Sequence, residues 1–279
     1  MQIVADSASL YSPEDGEKLG FKIVPACVVI NGKTYKDFEE ITVETFLKMV
    51  EEGGVPTSSQ PAIGDIMEVF EEAEKTGEDV LFLPVGDGLS GAYQSAVGIA
   101  STMENKDRLH VLNTKTLAGP QRYFVQKALK LKEEGLDIER IKRALIKSIE
   151  SSVSFVIPAD FDFLRRSGRL TPIAAKIAGM IKIVPVMTQT EDKTRIQPFA
   201  IKRSRKKALE AILDHLKSMG VNEEYIISIG HGGAYELGKE IFEHVQTKFT
   251  NTMVELFQLS PSLVTHGGPG CITIQAVRK

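Results

Sequence analysis

The chain has no tryptophan, only two cysteines among its 279 residues, and no excess of charge of either sign. Each shortage closes off a class of protein. Cys27 and Cys271 stand far apart without metal-ligand spacing. Neither a disulfide scaffold nor a structural metal site is therefore expected, and a reducing compartment suits them. With 34 basic against 37 acidic residues the net charge is −3. A nucleic-acid binder normally carries a basic excess that neutralises phosphates, so none is expected as a partner. The longest apolar candidate for a membrane span, residues 173–187, is interrupted by Lys176, Lys182 and Pro185 and is too short to cross a bilayer, so no stable membrane insertion is expected. Residues 1–6 run straight into an apolar strand pattern with no basic region or small-residue cleavage site. A secretory signal is not expected there, and the expected location is the cytoplasm. Internal repeats and low-complexity segments are also missing.

What is present is an ordinary globular composition, 42% hydrophobic and 25% charged, in a chain long enough for one large or two medium domains. Short β-branched runs alternate with longer amphipathic stretches, which predicts an α/β fold. Strands are expected at 2–5, 23–30, 80–85, 109–113 and 153–158, and helices at 43–51, 63–75, 90–103, 118–133 and 138–150. This first set forms a parallel-sheet domain over residues 1–158. The charged, glycine-ended segment 160–168 leads into a second α/β domain over residues 159–279. That domain should hold a hairpin of strands 181–189 and 195–201 turning at Glu191 and Asp192, then a helix at 204–219 capped by Ser204. Strand 225–229, helix 235–245 and strands 251–258 and 271–277 follow.

Four segments could carry chemistry. Gly86-Asp87-Gly88-Leu89-Ser90-Gly91 follows a strand and enters a helix, as a dinucleotide fingerprint does, with glycines that admit a pyrophosphate to the helix start. The fingerprint also needs an acidic residue at the end of the next strand, and Asn113 stands there. Ser90 is then either a plain N-cap or a hydroxyl able to hold an anion at a helix N-terminus. Pro56-Thr57-Ser58-Ser59-Gln60-Pro61, stiffened by prolines at both ends, reads equally as a turn or as a hydroxyl-lined binding loop. His266-Gly267-Gly268-Pro269-Gly270 sets a histidine before residues that allow close backbone approach, and this is either a structural turn or a ligand contact. Serines with a histidine raise a Ser/His hydrolase as an alternative, but no Gly-x-Ser-x-Gly elbow is present. Basic residues gather at 165–169 and 202–207. The second group sits at a helix start, where cations oppose the macrodipole. It is either a solvated face or a surface for an acidic partner.

Taken together these segments resemble the DegV family of bacterial fatty-acid-binding proteins over essentially the whole chain. Val4-Ala5-Asp6-Ser7 is similar to that family's N-terminal strand and Asp-Ser turn, and Thr57-Ser58-Ser59-Gln60-Pro61 to its Thr-Ser-Gln-Pro loop. Ser90-Gly91-Ala92-Tyr93 resembles its Ser-Gly-Thr-Tyr segment. Residues 164–170 are similar to its Gly-Arg turn, residues 182–186 to its Lys-x-x-Pro strand, and residues 266–270 to its His-x-Gly-Pro-Gly ending. The resemblance implies a two-domain DegV-type fold with no catalytic residues, no metal and no cofactor. It implies a long-chain fatty acid in an internal tunnel, its carboxylate held by Ser58 and Ser90 with His266 nearby. Thr57, Ser59, Gln60, Gly91, Gly267 and Gly268 would form the supporting loops. It further implies a fatty acid kinase as partner, making acyl phosphate for phospholipid synthesis; the two basic clusters are then expected to face that kinase, with Arg169, Arg203 and Arg205 as docking residues. Ser58 stands where the family usually has threonine, which keeps the hydroxyl and loses a methyl.

Overall fold

The computed structural model describes residues 1–176 and 182–279 and resolves into two compact units. Residues 1–150 together with 260–262 make the first, and residues 151–259 together with 263–279 make the second. The first unit runs β1 (Gln2–Asp6), α1 (Pro13–Leu19), β2 (Lys22–Val24), β3 (Cys27–Ile30), β4 (Lys33–Lys36), α2 (Val43–Glu51), β5 (Thr57–Ser59), α3 (Ile63–Thr76), β6 (Val80–Leu83), α4 (Ala92–Thr102), β7 (Leu109–Val111), α5 (Ala118–Glu133) and α6 (Ile138–Ser151). Its main sheet is parallel, in the order β2-β1-β6-β7.

The central strands are apolar on both faces because helices cover both. Val80, Leu81, Phe82 and Leu83 of β6 are all sealed from solvent, as the inner strand of a parallel sheet must be. Val4, Val80 and Phe82 pack with Ile66, Phe70 and Ala73 of α3 and Ala96 and Ala100 of α4. Phe70 meets Phe82 edge-on at 6.4 Å between ring centroids. A second sheet, β4-β3-β5, is antiparallel. The single strand expected at 23–30 is in fact two strands in different sheets. Pro25 separates them, since its nitrogen has no hydrogen to give to a ladder.

The second unit runs β8 (Val153–Ile157), α7 (Phe161–Arg166), α8 (Pro172–Ala175), β9 (Val184–Gln189), β10 (Ile196–Lys202), α9 (Arg205–Ser218), β11 (Tyr225–His231), α10 (Tyr235–Lys248), β12 (Met253–Gln258), α11 (Pro261–Gly267) and β13 (Ile272–Arg278). Its sheet has the order β10-β9-β8-β13-β11-β12 and is antiparallel except between β11 and β12. The boundary between units lies before β8, one strand earlier than the sequence pattern placed it, because β8 is held between β9 and β13. Ile181, the first residue of the strand expected at 181–189, lies outside the described residues. The hairpin turn forms as expected around Asp192, whose carboxylate accepts from the Thr190 hydroxyl at 2.5 Å and from the Thr194 N–H at 3.1 Å. Ser204 caps α9 by accepting from the Lys207 N–H at 3.3 Å.

The core of this unit joins Ile227, Ile229, Ile272 and Ile274 of the sheet to Ile212, Leu213 and Leu216 of α9 and Ile241 and Val245 of α10. Phe155 of the inner strand β8 belongs to this core, with Phe199 at 4.8 Å and His215 at 5.7 Å between ring centroids. Phe155→Ala should lower the stability of this unit by about 3 to 5 kcal/mol, since the ring's partners cannot close the cavity. Urea denaturation followed by far-UV circular dichroism would show the shifted midpoint.

Candidate functional site

In the parallel sheet the chain leaves β1 toward β2 on one side and β6 toward β7 on the other, so the carboxyl ends of β1 and β6 flank a topological switch point. Ligands of open α/β sheets sit at such points. The loop after β1 begins at Asp6, whose side chain has no solvent exposure. Its carboxylate accepts from the Ala8 N–H at 3.1 Å, the Val85 N–H at 2.7 Å and the Gln121 amide at 2.9 Å, tying the ends of β1 and β6 to α5. Burial pushes the Asp6 carboxyl up to about 6, against those three hydrogen bonds and with the help of the nearby Asp37 charge.

The loop after β6 carries Ser90, half-buried and just ahead of α4. Of the two readings open for Ser90, the plain N-cap is not the one formed. Gly91 stands at that position with no side-chain cap, and the Ser90 hydroxyl accepts from the Ala92 N–H at 3.3 Å. Ser58 lies on a strand where a loop was expected, on β5, paired with Val28 across the antiparallel ladder. The strand alternation leaves Thr57 and Ser59 exposed and turns Ser58 to the other side, where it is half-buried. Gln60 then joins the two segments: its amide donates to Ser95 of α4 at 2.7 Å. A side chain at Gly91 would have its Cβ 2.2 Å from the Gln60 Oε1, so glycine there lets the loop sit close. Within the first unit, Ser58 and Ser90 are thus carried on two segments tied together by Gln60.

The glycines of the apparent dinucleotide fingerprint have local explanations. A Cβ on Gly86 would meet the backbone of Lys115 and Thr116 at 2.7 Å, and Gly88 takes a positive φ of 83° in the turn. Asn113 serves that turn as well, accepting from the N–H groups of Asp87 at 3.1 Å and Lys115 at 2.9 Å.

In the second unit His266 belongs to the last turn of α11, where a glycine-rich turn was expected; the helix continues through Gly267. Burial first, and the Arg169 guanidinium second, push its imidazole down to about 4, so it is neutral at pH 7. A neutral ring offers one N–H donor and one acceptor rather than a cation. Arg169 is itself half-buried, and its guanidinium donates to the Ser167 carbonyl. Arg203 and Arg205, by contrast, are exposed at the start of α9. Gly267 and Gly268 make room: a Cβ on Gly267 would lie 2.6 Å from the Cys271 side chain, and Gly268 has φ +77° with Phe163 against it. Burial pushes the Cys271 thiol up to about 12, so it stays protonated. Among the described residues no group of three or more His, Cys, Asp or Glu could hold a metal ion, and no helix is long and apolar enough to cross a membrane.

The DegV family model, described as an uncharacterised protein family, matches residues 1–279. The chain belongs to the DegV family. A DegV domain-containing protein of Listeria innocua is 32% identical over 278 residues, which are 97% of this chain and 95% of that protein. Another, from Caldanaerobacter subterraneus, is 31% identical over 96% of this chain and 95% of its own. Among solved DegV structures, a fatty-acid-binding protein of Thermus thermophilus matches with TM-score 0.89 at 27% identity, covering 100% of this chain and 99% of that one. A fatty-acid-binding DegV protein of Bacillus subtilis matches with TM-score 0.86 at 26% identity over 100% and 99% of the two chains. A stearic acid-binding protein of Eubacterium ventriosum does so with TM-score 0.89 at 25% identity and the same coverage.

Sequence reasoning gave no role to the buried carboxylates Asp6 and Asp37, nor to Gln121. A carboxylate closing an apolar strand, as in Val4-Ala5-Asp6, is the one available signal, because such a group must be paired or pay for its desolvation. The titration of His266 is directly testable. Its folded pKa lies below the ordinary 6.5, so the unfolded state binds more protons between pH 4 and 6.5. His266 therefore contributes stability that is complete above 6.5 and lost as pH falls toward 4. NMR of the imidazole nitrogens should show a neutral ring down to about pH 5, and His266→Gln should make the melting temperature fall more steeply with rising pH across that window, because buried Asp6 and Asp37 titrate there with the opposite sign.

Proposed function

We propose that this protein binds a long-chain fatty acid inside the molecule, holds its carboxylate with Ser58 and Ser90, with His266 contributing a hydrogen bond, and presents that carboxylate to a fatty acid kinase. The observation that carries the reading is the full-length match to fatty-acid-binding DegV structures at TM-scores of 0.86 to 0.89. The joining of the Ser58 and Ser90 segments by Gln60 supports it.

The energetics divide the work between tail and head. Burying an alkyl chain is worth about 0.8 kcal/mol per methylene, on the order of 12 kcal/mol gross for about fifteen, and the ordering of a flexible chain takes back part of that. Hydroxyl donors to a carboxylate add about 1.5 to 3 kcal/mol each, largely offset by stripping water from the charge. Affinity then resides in the tail, while the hydroxyls fix where the carboxylate sits. A neutral His266, kept so first by burial and second by the Arg169 charge, completes a polar end without adding charge, and that Arg169 charge also favours an anion nearby.

In this reading the protein carries no catalytic group of its own, and the kinase supplies the phosphoryl chemistry that commits the acyl chain to phospholipid synthesis. Arg203 and Arg205, exposed at a helix start, form the docking surface, and half-buried Arg169 acts chiefly on His266.

Native mass spectrometry of the protein purified from a bacterial host should show a stoichiometric mass increment that resolves into C14 to C18 fatty acids on denaturation. An apo mass that also failed to take up palmitate or oleate would end the carrier reading. Ser58→Ala/Ser90→Ala should lower retention by about tenfold or more, in keeping with the loss of two charge-assisted hydrogen bonds. Charge reversal at Arg203 and Arg205 should leave the lipid bound and slow phosphorylation by the cognate kinase. Unchanged phosphorylation would return those residues to a solvated face.

A further inference from the structure

Asp37 follows β4, outside any strand or helix, with none of its side chain exposed. Its carboxylate accepts from the Ser7 hydroxyl at 3.1 Å, from the Ser262 N–H at 3.0 Å and from the Ser262 hydroxyl at 2.5 Å. Ser260, bonded to Ser262 at 3.1 Å between hydroxyl oxygens, adds a further hydrogen bond. The Ser7 hydroxyl in turn accepts from the Ala26 N–H at 2.9 Å, so the cluster is anchored to the backbone between β2 and β3. Among the described residues, Asp6 and Cys27 are titratable groups that feel this carboxylate.

This arrangement is an expensive way to gain stability. Burial pushes the Asp37 carboxyl up to about 6 despite all its donors, so the charged form is held at a disadvantage at neutral pH. Apolar packing of the same volume is often as stable as a buried charge. What the carboxylate does that apolar packing could not is fix a direction. It takes the N–H of Ser262, in the first turn of α11, one of the amides that a helix start leaves without an internal partner. Ser262 and His266 are four residues apart on that helix. They therefore share a face, about 6 Å apart along the axis, and a rotation at one carries the other with it.

We propose that Asp37 is a positioning residue for His266, fixing the rotation of α11 through Ser262 so that the imidazole meets the fatty acid carboxylate. The proposal rests on the reading in which His266 contacts that carboxylate. Asn at this position keeps an acceptor for the Ser262 N–H, whereas Ala removes it.

The test is the dissociation rate of cis-parinaric acid from the delipidated full-length protein, displaced by excess palmitate at pH 7. It compares Asp37→Ala, Asp37→Asn, His266→Ala and the Asp37→Ala/His266→Ala double variant. Asp37→Ala should speed release by about five- to tenfold, in keeping with one lost hydrogen bond at the head group. Asp37→Asn should restore most of that, and the double variant should release no faster than His266→Ala alone. Additive losses, a neutral Asp37→Ala, or an Asn variant as fast as the Ala variant would each overturn the proposal and leave the carrier reading intact. An unchanged rate in His266→Ala would instead remove His266 from the reading itself, and this proposal with it. Should Asp37→Ala not fold, Ser262→Ala takes its place in the cycle. It removes the 2.5 Å bond while keeping Asp37, and the same non-additivity with His266→Ala is expected.

Discussion

A carboxylate sealed from water must be surrounded by donors, and the first unit of this protein is organised around two of them. Asp6 gathers the ends of β1 and β6 and one helix, while Asp37 gathers Ser7 and the segment 260–262. Neither side chain has any exposure, and burial raises both carboxyls to about 6. Because the folded values lie above the ordinary 3.8, the native state binds more protons than the unfolded chain between the two values. The stabilising contribution of each is complete below 3.8 and lost as pH rises through 6. This slope is opposite in sign to that of His266, which offsets part of the fall that the two carboxylates produce across mildly acidic pH.

The parallel sheet and most helices were legible because their signals are local. Residues 43–51 and 118–133 form helices at the bounds their apolar spacing predicts, and the Ser204 cap and the Asp192 turn each depend on a side chain reaching its own neighbours. The failures share the opposite cause. Pro25 is a single breaker in an otherwise apolar run, and its effect was to send β3 into another sheet. β5 is three polar residues long and is a strand only because β3 offers it a partner. α11 carries no amphipathic signal in its seven residues, and its start is held by Asp37 from far away in the chain.

The candidate site was legible in a different way. Ser58, Ser90 and His266 were singled out by resemblance and by their polar, glycine-rich settings, whereas composition alone left each with a structural alternative. Some of those alternatives are now used up by other residues: Gly91 holds the cap position, and the fingerprint glycines are spent on close backbone packing. Gln60 was visible only as one more polar residue in a loop. Its role as the tie to α4 needed the tertiary arrangement, as did the neighbourhood of Arg169 and His266.

The bond between Asp37 and Ser262 joins residues 225 positions apart. During synthesis at about 5 to 20 residues per second, Asp37 is added to the chain on the order of ten to forty-five seconds before its partner. Until then its carboxylate can stay hydrated, and the first unit waits with one of its polar centres open. Arrival of residues 260–262, rather than the emergence of the segment around Asp37, is the event that seals that centre, so a chain stalled before residue 260 would present this region to chaperones and proteases unfinished.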